Sequence, residues 1–322
     1  MQEFDLIHRY FDWRPSHPAV TLGVGDDAAI VAPRAGESLV IASDMLVAGR
    51  HFPSSTAPAA VAHKALAVNL SDLAAMGAAP LGFTLSLGLP ETDAAWLESF
   101  STGLRAAASR WGCDLIGGDT VRAPQLTLSI TVFGTLTGAR SIRRDGAQAG
   151  DRLAVTGTIG DAALGLMLAL ENGRLPPGIT EADREMLLSR LDRPEPRLSV
   201  GQALVGRASG GLDVSDGLLQ DLGHLLEASG LAAEIDLDAI PLSPAARRWL
   251  EVLPDDLDRV LAGGDDYELL LALPPELPLD PAWGLTVIGR LDEAGPVGAI
   301  RERAGRPLPG RRGYNHFNED GA

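Results

Sequence analysis

APAAVAHKALAVNLSDLAAMGAAP, residues 57–80, reads as a helix with one residue that does not belong in it. Alanine, valine and leucine fill nearly every position, so no polar face remains and burial on most sides is expected. Asn69 and Asp72 stand three apart and therefore share one face of that helix. A carboxylate in such a place is costly unless a cation or hydrogen-bond donors meet it. Lys64, two turns earlier, is one such partner, but it would account for this aspartate alone.

The same habit recurs along the chain. Aspartates stand beside glycine, serine or asparagine in GVGDDAAIV (Asp26 and Asp27), ASD (Asp44), GGD (Asp119), DVSD (Asp213 and Asp216) and GGDD (Asp265 and Asp266). In each, the hydrophobic pattern predicts burial just where the chain turns. Two carboxylates about 4 Å apart repel by roughly 4 kcal/mol at an effective dielectric near 20, so if these segments converge, cations must hold them. The donors are all oxygen, which suits Mg²⁺, Mn²⁺ or Ca²⁺ over zinc. The acids are too dispersed for a local calcium loop, and the EF-hand pattern is absent. Since Mg²⁺ takes only one or two carboxylates and completes its shell with water and phosphate, so many aspartates point to several metals around a polyphosphate.

Composition narrows the function classes. A chain of 322 residues with 45% hydrophobic residues has material for about two domains. A net charge of −16 opposes nucleic-acid and anionic-membrane binding. There is no apolar run of membrane-spanning length, and MQEFDLIHRYFDW lacks the layout of a signal peptide, so a cytoplasmic protein is expected. The single cysteine, Cys113, excludes an intrachain disulfide and reads as a buried small hydrophobe. Lys64 is the only lysine, and no G-x-x-x-x-G-K-[ST] phosphate loop exists. The six histidines are scattered, which gives a zinc site or a Ser-His-Asp triad little support.

The organisation reads as α/β in two domains. Strands at 20–31 and 38–46, the helix at 57–77, a strand at 81–88, a helix at 92–111, a short strand ending in GGD and a strand at 126–136 give β-β-α-β-α-β over residues 1–138. A turn-rich basic stretch at 139–151 marks the boundary. The second domain, 149–322, alternates strands (DRLAVTG, LDVSD, 233–237, 267–273, 285–291) with helices (after Gly160, 198–208, 217–229, 244–252). The turn between Gly157 and Gly160 is either an anion-binding helix start or an ordinary strand-to-helix turn.

GVGDDAAIV, ASDMLVAGRHF, AVNLSDLAAMGAAP, LIGGDTVR, DVSDGLLQDL and GGDDYELL, in this order over nearly the whole chain, resemble the thiamine-monophosphate kinase family. Its superfamily includes aminoimidazole ribonucleotide synthetases, selenophosphate synthetases and hydrogenase-maturation proteins. The resemblance implies ATP-dependent phosphorylation of thiamine monophosphate to thiamine diphosphate, in a homodimer whose N-terminal sheets pair into a barrel-like core. It implies metal ligands at Asp27, Ser43, Asp44, Asp72, Asp119, Asp213 and Asp216, with several Mg²⁺ ions and a monovalent cation as a further candidate. It implies nucleotide contacts at Gly118, Asp119, Arg144 and Ser215, and substrate contacts at His51, Asp265 and Tyr314. No covalent or general-base residue is implied. The family more often has glutamate at the position of Asp265, and the sequence leaves open whether Asp265 or Glu268 meets the thiamine moiety. His51 and Arg144 also read as a turn residue and a solvated linker charge. The rival enzyme is another superfamily synthetase, such as aminoimidazole ribonucleotide synthetase; the non-enzyme rival is a nucleotide- or metal-binding subunit.

Overall fold

The computed structural model describes residues 3–138, 140–170, 175–310 and 313–314. The chain divides into two compact units, Met1–Leu73 with Ala78–Arg140 and Ala74–Gly77 with Ser141–Ala322. Among the described residues no helix is long and apolar enough to cross a membrane.

The first unit contains α1 (Glu3–Tyr10), β1 (Val20–Leu22), β2 (Ile30–Val31), β3 (Glu37–Val47), α2 (Pro58–Met76, whose end from Ala74 belongs to the second unit), β4 (Ala79–Leu89), α3 (Ala94–Trp111), β5 (Asp114–Arg122) and β6 (Thr127–Thr137). Four strands form one sheet in the order β3-β6-β4-β5. β6 runs antiparallel to β3 and β4, and β4 runs parallel to β5. A parallel pair needs a crossover, which α3 supplies. The Asp93 side chain caps α3 on the N–H groups of Ala95 and Trp96, and Gly112, at φ 63°, ends it. Strand alternation sorts the two faces: Leu85, Leu87, Leu128, Ile130 and Val132 are buried on one. On the other, Leu39, Ile41 and Met45 of β3 are 43%, 57% and 57% exposed.

Two expectations for this unit need correction. Residues 20–31 are not one strand: β1 and β2 are short and pair antiparallel, with a loop between them. Asp26 and Asp27 lie in that loop, exposed. The Asp26 carboxylate accepts the Asp27 N–H at 2.8 Å, and Gly25 has φ 119°; such turn chemistry breaks a strand. The helix 57–77 is present and buried nearly throughout from Ala60 to Ser71, but Asp72 is half-buried. The aspartate thus stands at the margin of the apolar region.

The second unit contains β7 (Arg152–Thr156), α4 (Asp161–Leu170), α5 (Glu181–Asp192), α6 (Leu198–Leu204), β8 (Gly210–Val214), α7 (Leu218–Ser229), β9 (Ala232–Ile235), α8 (Pro244–Val252), α9 (Leu257–Ala262), β10 (Glu268–Leu273), β11 (Leu285–Asp292) and β12 (Ile300–Glu302). Six strands form a sheet in the order β12-β9-β11-β7-β10-β8. Its neighbours pair antiparallel except β12 and β9, which are parallel. β10 is buried along its whole length because both faces are covered. Leu270 and Ala272 join a core around Trp249, while Leu269, Leu271 and Leu273 join a second core with Val200 and Leu204.

α5 escapes the sequence reading. Its few apolar residues give no clear period, and a capping box between Thr180 and Asp183 together with the buried Leu187 and Leu191 defines it. Trp249 is 2% exposed and donates from Nε1 to Asp256 at 2.8 Å. Trp249→Ala is expected to destabilise the protein by about 3–5 kcal/mol. Urea unfolding checks this, and an unchanged midpoint would show that this core does not carry the stability of the unit.

Candidate active site

In the second unit, β8 delivers Asp213, which is buried, to a turn at Ser215, Asp216 and Gly217 that opens α7. Asp221, in the first turn of α7, folds back over it. Its Oδ2 accepts the N–H groups of Ser215 and Asp216 at 3.0 Å and of Gly217 at 3.2 Å. Burial, followed by the charge of Asp213, pushes the Asp221 carboxyl up to about 8 against the pull of those N–H bonds. Carboxylate oxygens of Asp216 and Asp221 and an imidazole nitrogen of His224 lie within 4.8 Å of one another. The sequence reading did not single out Asp221 or His224; the available signal was an acid in the first turn of the helix after SDG.

A second loop, residues 263–267, presses on the first. A Cβ on Gly264 would stand 2.4 Å from the Ser215 carbonyl oxygen, so only glycine fits there. The N–H of Asp265 donates to the Ser215 carbonyl and that of Tyr267 to the Val214 carbonyl, both at 2.8 Å. Asp265 and Tyr267 have φ of 64° and 52°, left-handed values that cost non-glycine residues about 1–3 kcal/mol each and collect at functional sites. Asp266, between them, is buried, with both carboxylate oxygens 2.9 Å from the Gly160 nitrogen. Burial raises its carboxyl well above the ordinary range.

Glu268 is fully buried and engaged on all sides. It accepts from the Thr156 hydroxyl at 2.6 Å, from Arg190 at 2.7 Å and from two nitrogens of Arg197 at 2.6 and 2.5 Å. Asp265 is half-buried. Of the two acids the sequence left open, the geometry therefore makes Glu268 a fixture of the interior. Tyr314 comes to the same place through its backbone: its N–H donates to the Asp216 carbonyl, and its carbonyl accepts from Gln220, each at 2.9 Å. Asp213, Ser215, Asp216, Asp265 and Tyr314 are thus brought together. Arg144 is exposed. The neighbouring Arg143 carbonyl meets Gly211 at the start of β8, and the Arg144 carbonyl accepts from Ser229 at the end of α7.

In the first unit, Asp44 and Asp72 are half-buried and Ser43, Asp119 and Gly118 are exposed. The Asp44 N–H donates to Asn69 Oδ1 at 2.9 Å, which turns the α2 face shared by Asn69 and Asp72 toward β3. The Ser43 hydroxyl donates to the Ile130 carbonyl at 3.1 Å. Register sets Asp119 beside Ser86 on β4 and, by alternation, on the face opposite Asp44. At Gly118, φ 150°, a Cβ would stand 1.9 Å from the Leu85 carbonyl oxygen. A cleft of about 570 Å³ adjoins this strand, lined by Leu89, Pro90, Glu91, Thr120, Val121 and Arg122 among others. His51 is held in the turn after β3, its Nδ1 accepting the Val47 N–H at 3.0 Å, so that in the neutral ring the proton is on Nε2. Asp27 lies in the exposed β1–β2 loop.

Asp27, Ser43, Asp44, Asp72, Asp119, Asp213 and Asp216 offer carboxylate and hydroxyl oxygens, the hard donors that Mg²⁺ prefers, so these residues fit Mg²⁺. Residues 25–136 match the AIR synthase related protein N-terminal domain, and residues 148–297 match its C-terminal domain. This sets the class as a two-domain, mixed α/β AIR synthase related protein. The chain is 45% identical to a thiamine-monophosphate kinase of Salmonella typhimurium, with 98% of each chain covered. It is similar to the crystal structure of a thiamine-monophosphate kinase from Stenotrophomonas maltophilia, with 41% identity, 95% and 96% coverage and a TM-score of 0.82. It is also similar to AaThiL complexed with AMPPCP and TMP, with 32% identity, 98% and 96% coverage and a TM-score of 0.79. The chain belongs to the thiamine-monophosphate kinase family.

Glu268→Gln is expected to cost about 3–5 kcal/mol, because it leaves Arg190 and Arg197 beside a neutral group in the interior. Asp265→Asn should leave the melting temperature almost unchanged. Thermal unfolding of the two variants separates interior fixture from site residue, and equal losses would contradict the division.

Proposed function

We propose that this protein transfers the γ-phosphoryl group of ATP to thiamine monophosphate, giving thiamine diphosphate and ADP. The observation that carries this reading is the 45% identity to a thiamine-monophosphate kinase over 98% of the chain. Support comes from the relative that binds AMPPCP and TMP at 32% identity. In the transfer, the bond from the γ-phosphorus to the β,γ-bridging oxygen breaks, and a bond forms to an oxygen of the substrate phosphate. That oxygen is already ionised, so no general base and no covalent enzyme intermediate are required. The obstacle is charge: two anionic groups must approach in line.

Asp27, Ser43, Asp44, Asp72, Asp119, Asp213 and Asp216 would hold several Mg²⁺ ions. Bound there, the ions would neutralise the phosphates and draw them together. Asp221 keeps the turn at 215–217 closed and so fixes where Asp216 points. Gly118, Asp119, Arg144 and Ser215 would meet the nucleotide, with Arg144 contributing a fixed positive charge. Glycine at 118 is required by the close approach of β4, since a Cβ there would meet the Leu85 carbonyl oxygen. His51, Asp265 and Tyr314 would meet thiamine monophosphate. A monovalent cation is a further candidate in the site. The enzyme would act in the cytoplasm.

The exposed Leu39, Ile41 and Met45 on the long strand β3 are best covered by the same face of a second copy, which makes the protein a homodimer with paired N-terminal sheets. The first unit would then serve in metal binding, nucleotide binding and dimerisation, and the second would complete the nucleotide and substrate sites.

Incubation with ATP, Mg²⁺ and thiamine monophosphate should yield ADP and thiamine diphosphate in equal amounts, and EDTA should abolish both. Asp72→Asn should slow turnover by about 100-fold or more, the scale for losing one preorganised charge-stabilising group. ADP without thiamine diphosphate, or near-normal turnover by the variant, would refute the reading. Ile41→Asp should halve the mass measured by light scattering; an unchanged dimer would exclude β3 from the interface.

A further inference from the structure

The loop at 263–267 holds a pair of residues that the proposed reaction does not use as a pair. The Tyr267 hydroxyl donates to Asp265 Oδ1 at 3.0 Å. Residues two apart in an extended strand are separated by about 7 Å along it, and such a pair is brought closer where the backbone curls. Here it curls because both residues are left-handed. Two anchors impose the curl. The N–H groups of Asp265 and Tyr267 are bonded to the carbonyls of Ser215 and Val214, and between them the buried Asp266 carboxylate is bonded to the Gly160 N–H. Glycine would accept the φ of 52° at position 267 without strain, yet the chain has a tyrosine there, whose ring and hydroxyl reach back to the acid. The hydroxyl bond restricts the rotation of the short Asp265 carboxylate.

We propose that Tyr267 is a positioning residue for substrate recognition. Its hydroxyl orients the Asp265 carboxylate toward the aminopyrimidine of thiamine monophosphate, whose exocyclic N–H group can donate to it, and Asp266 is the buried anchor that keeps the pair in place. The inference rests on the reading of Asp265 as a substrate contact. Tyr267 acts through Asp265 and makes no contact with the reacting phosphates, so its effect belongs to the KM of one substrate.

Steady-state kinetics of Tyr267→Phe, Asp265→Ala, the double variant and Tyr267→Gly test this. Tyr267→Phe should raise the KM for thiamine monophosphate about three- to tenfold, the scale for losing one hydrogen bond. Its kcat and its KM for ATP should change less. In the Asp265→Ala background the same substitution should add nothing, because the two residues act as one unit. Tyr267→Gly should raise the same KM while the melting temperature holds or rises, since it relieves the backbone. If Asp265→Ala raises the KM and Tyr267→Phe does not, the positioning role is wrong and the substrate contact stands. If Asp265→Ala leaves the KM unchanged, the underlying contact fails, and the role of Tyr267 with it. Parallel losses of melting temperature, kcat and both KM values in Tyr267→Phe would mean a purely structural bond and would also overturn the proposal.

Discussion

Like charges held at close quarters are the constraint from which the rest of this structure follows. Asp213, Asp216 and Asp221 occupy one strand end and the first turn of one helix, where burial, and after it the charge of Asp213, raises the Asp221 carboxyl. A fold tolerates such an arrangement only where the surroundings over-determine it. Here the surroundings are backbone: three N–H groups converge on Asp221 Oδ2, and the 263–267 loop is bonded to the carbonyls of Val214 and Ser215. Glycine at 264 allows the contact. These bonds hold the turn in one arrangement, and positioning of that kind is what phosphoryl transfer demands.

The interior of the second unit supports that turn by separating two kinds of acid. Asp266 and Glu268 are buried and bonded to Gly160, Thr156, Arg190 and Arg197, so they tie β10 to the β7–α4 turn and to α5 and α6. Asp265, immediately before Asp266, has a left-handed backbone and is half-buried. A single motif, GGDDYE, thus divides between buried, bonded acids and a half-buried one. The turn at 157–160, which in sequence was open between an anion site and an ordinary connection, is occupied by these carboxylates, since a Cβ on Gly157 would stand 2.1 Å from Glu268.

Much of the fold was legible because its elements carry strong local signals. The alanine-rich, largely apolar stretch at 57–77 yields α2, and YELLLAL yields β10, a strand buried on both faces. The misreadings have equally local causes. Residues 20–31 look like a strand because Ile30 and Val31 follow an apolar run, but Gly25 and the Asp26 turn interrupt it. α5 was missed because only Leu187 and Leu191 carry its packing among the residues that are buried apolar side chains, and Arg190 went unnoticed with it. Asp265 and Glu268 were indistinguishable in sequence since either could end a turn or begin a strand. Asp221 was hidden by its helix, because nothing in DGLLQDL reveals that its side chain turns back onto the preceding loop.

The central claim is that the clustered aspartates are held for divalent cations. The most direct test is calorimetric unfolding of the wild-type protein across a Mg²⁺ titration from a chelated start, with and without a non-hydrolysable ATP analogue, alongside Asp213→Asn. The expected result is a melting temperature that climbs with Mg²⁺ concentration as mass action requires, climbs further with the analogue, and responds less in the variant. Melting curves that are indifferent to Mg²⁺ under both conditions would contradict the claim.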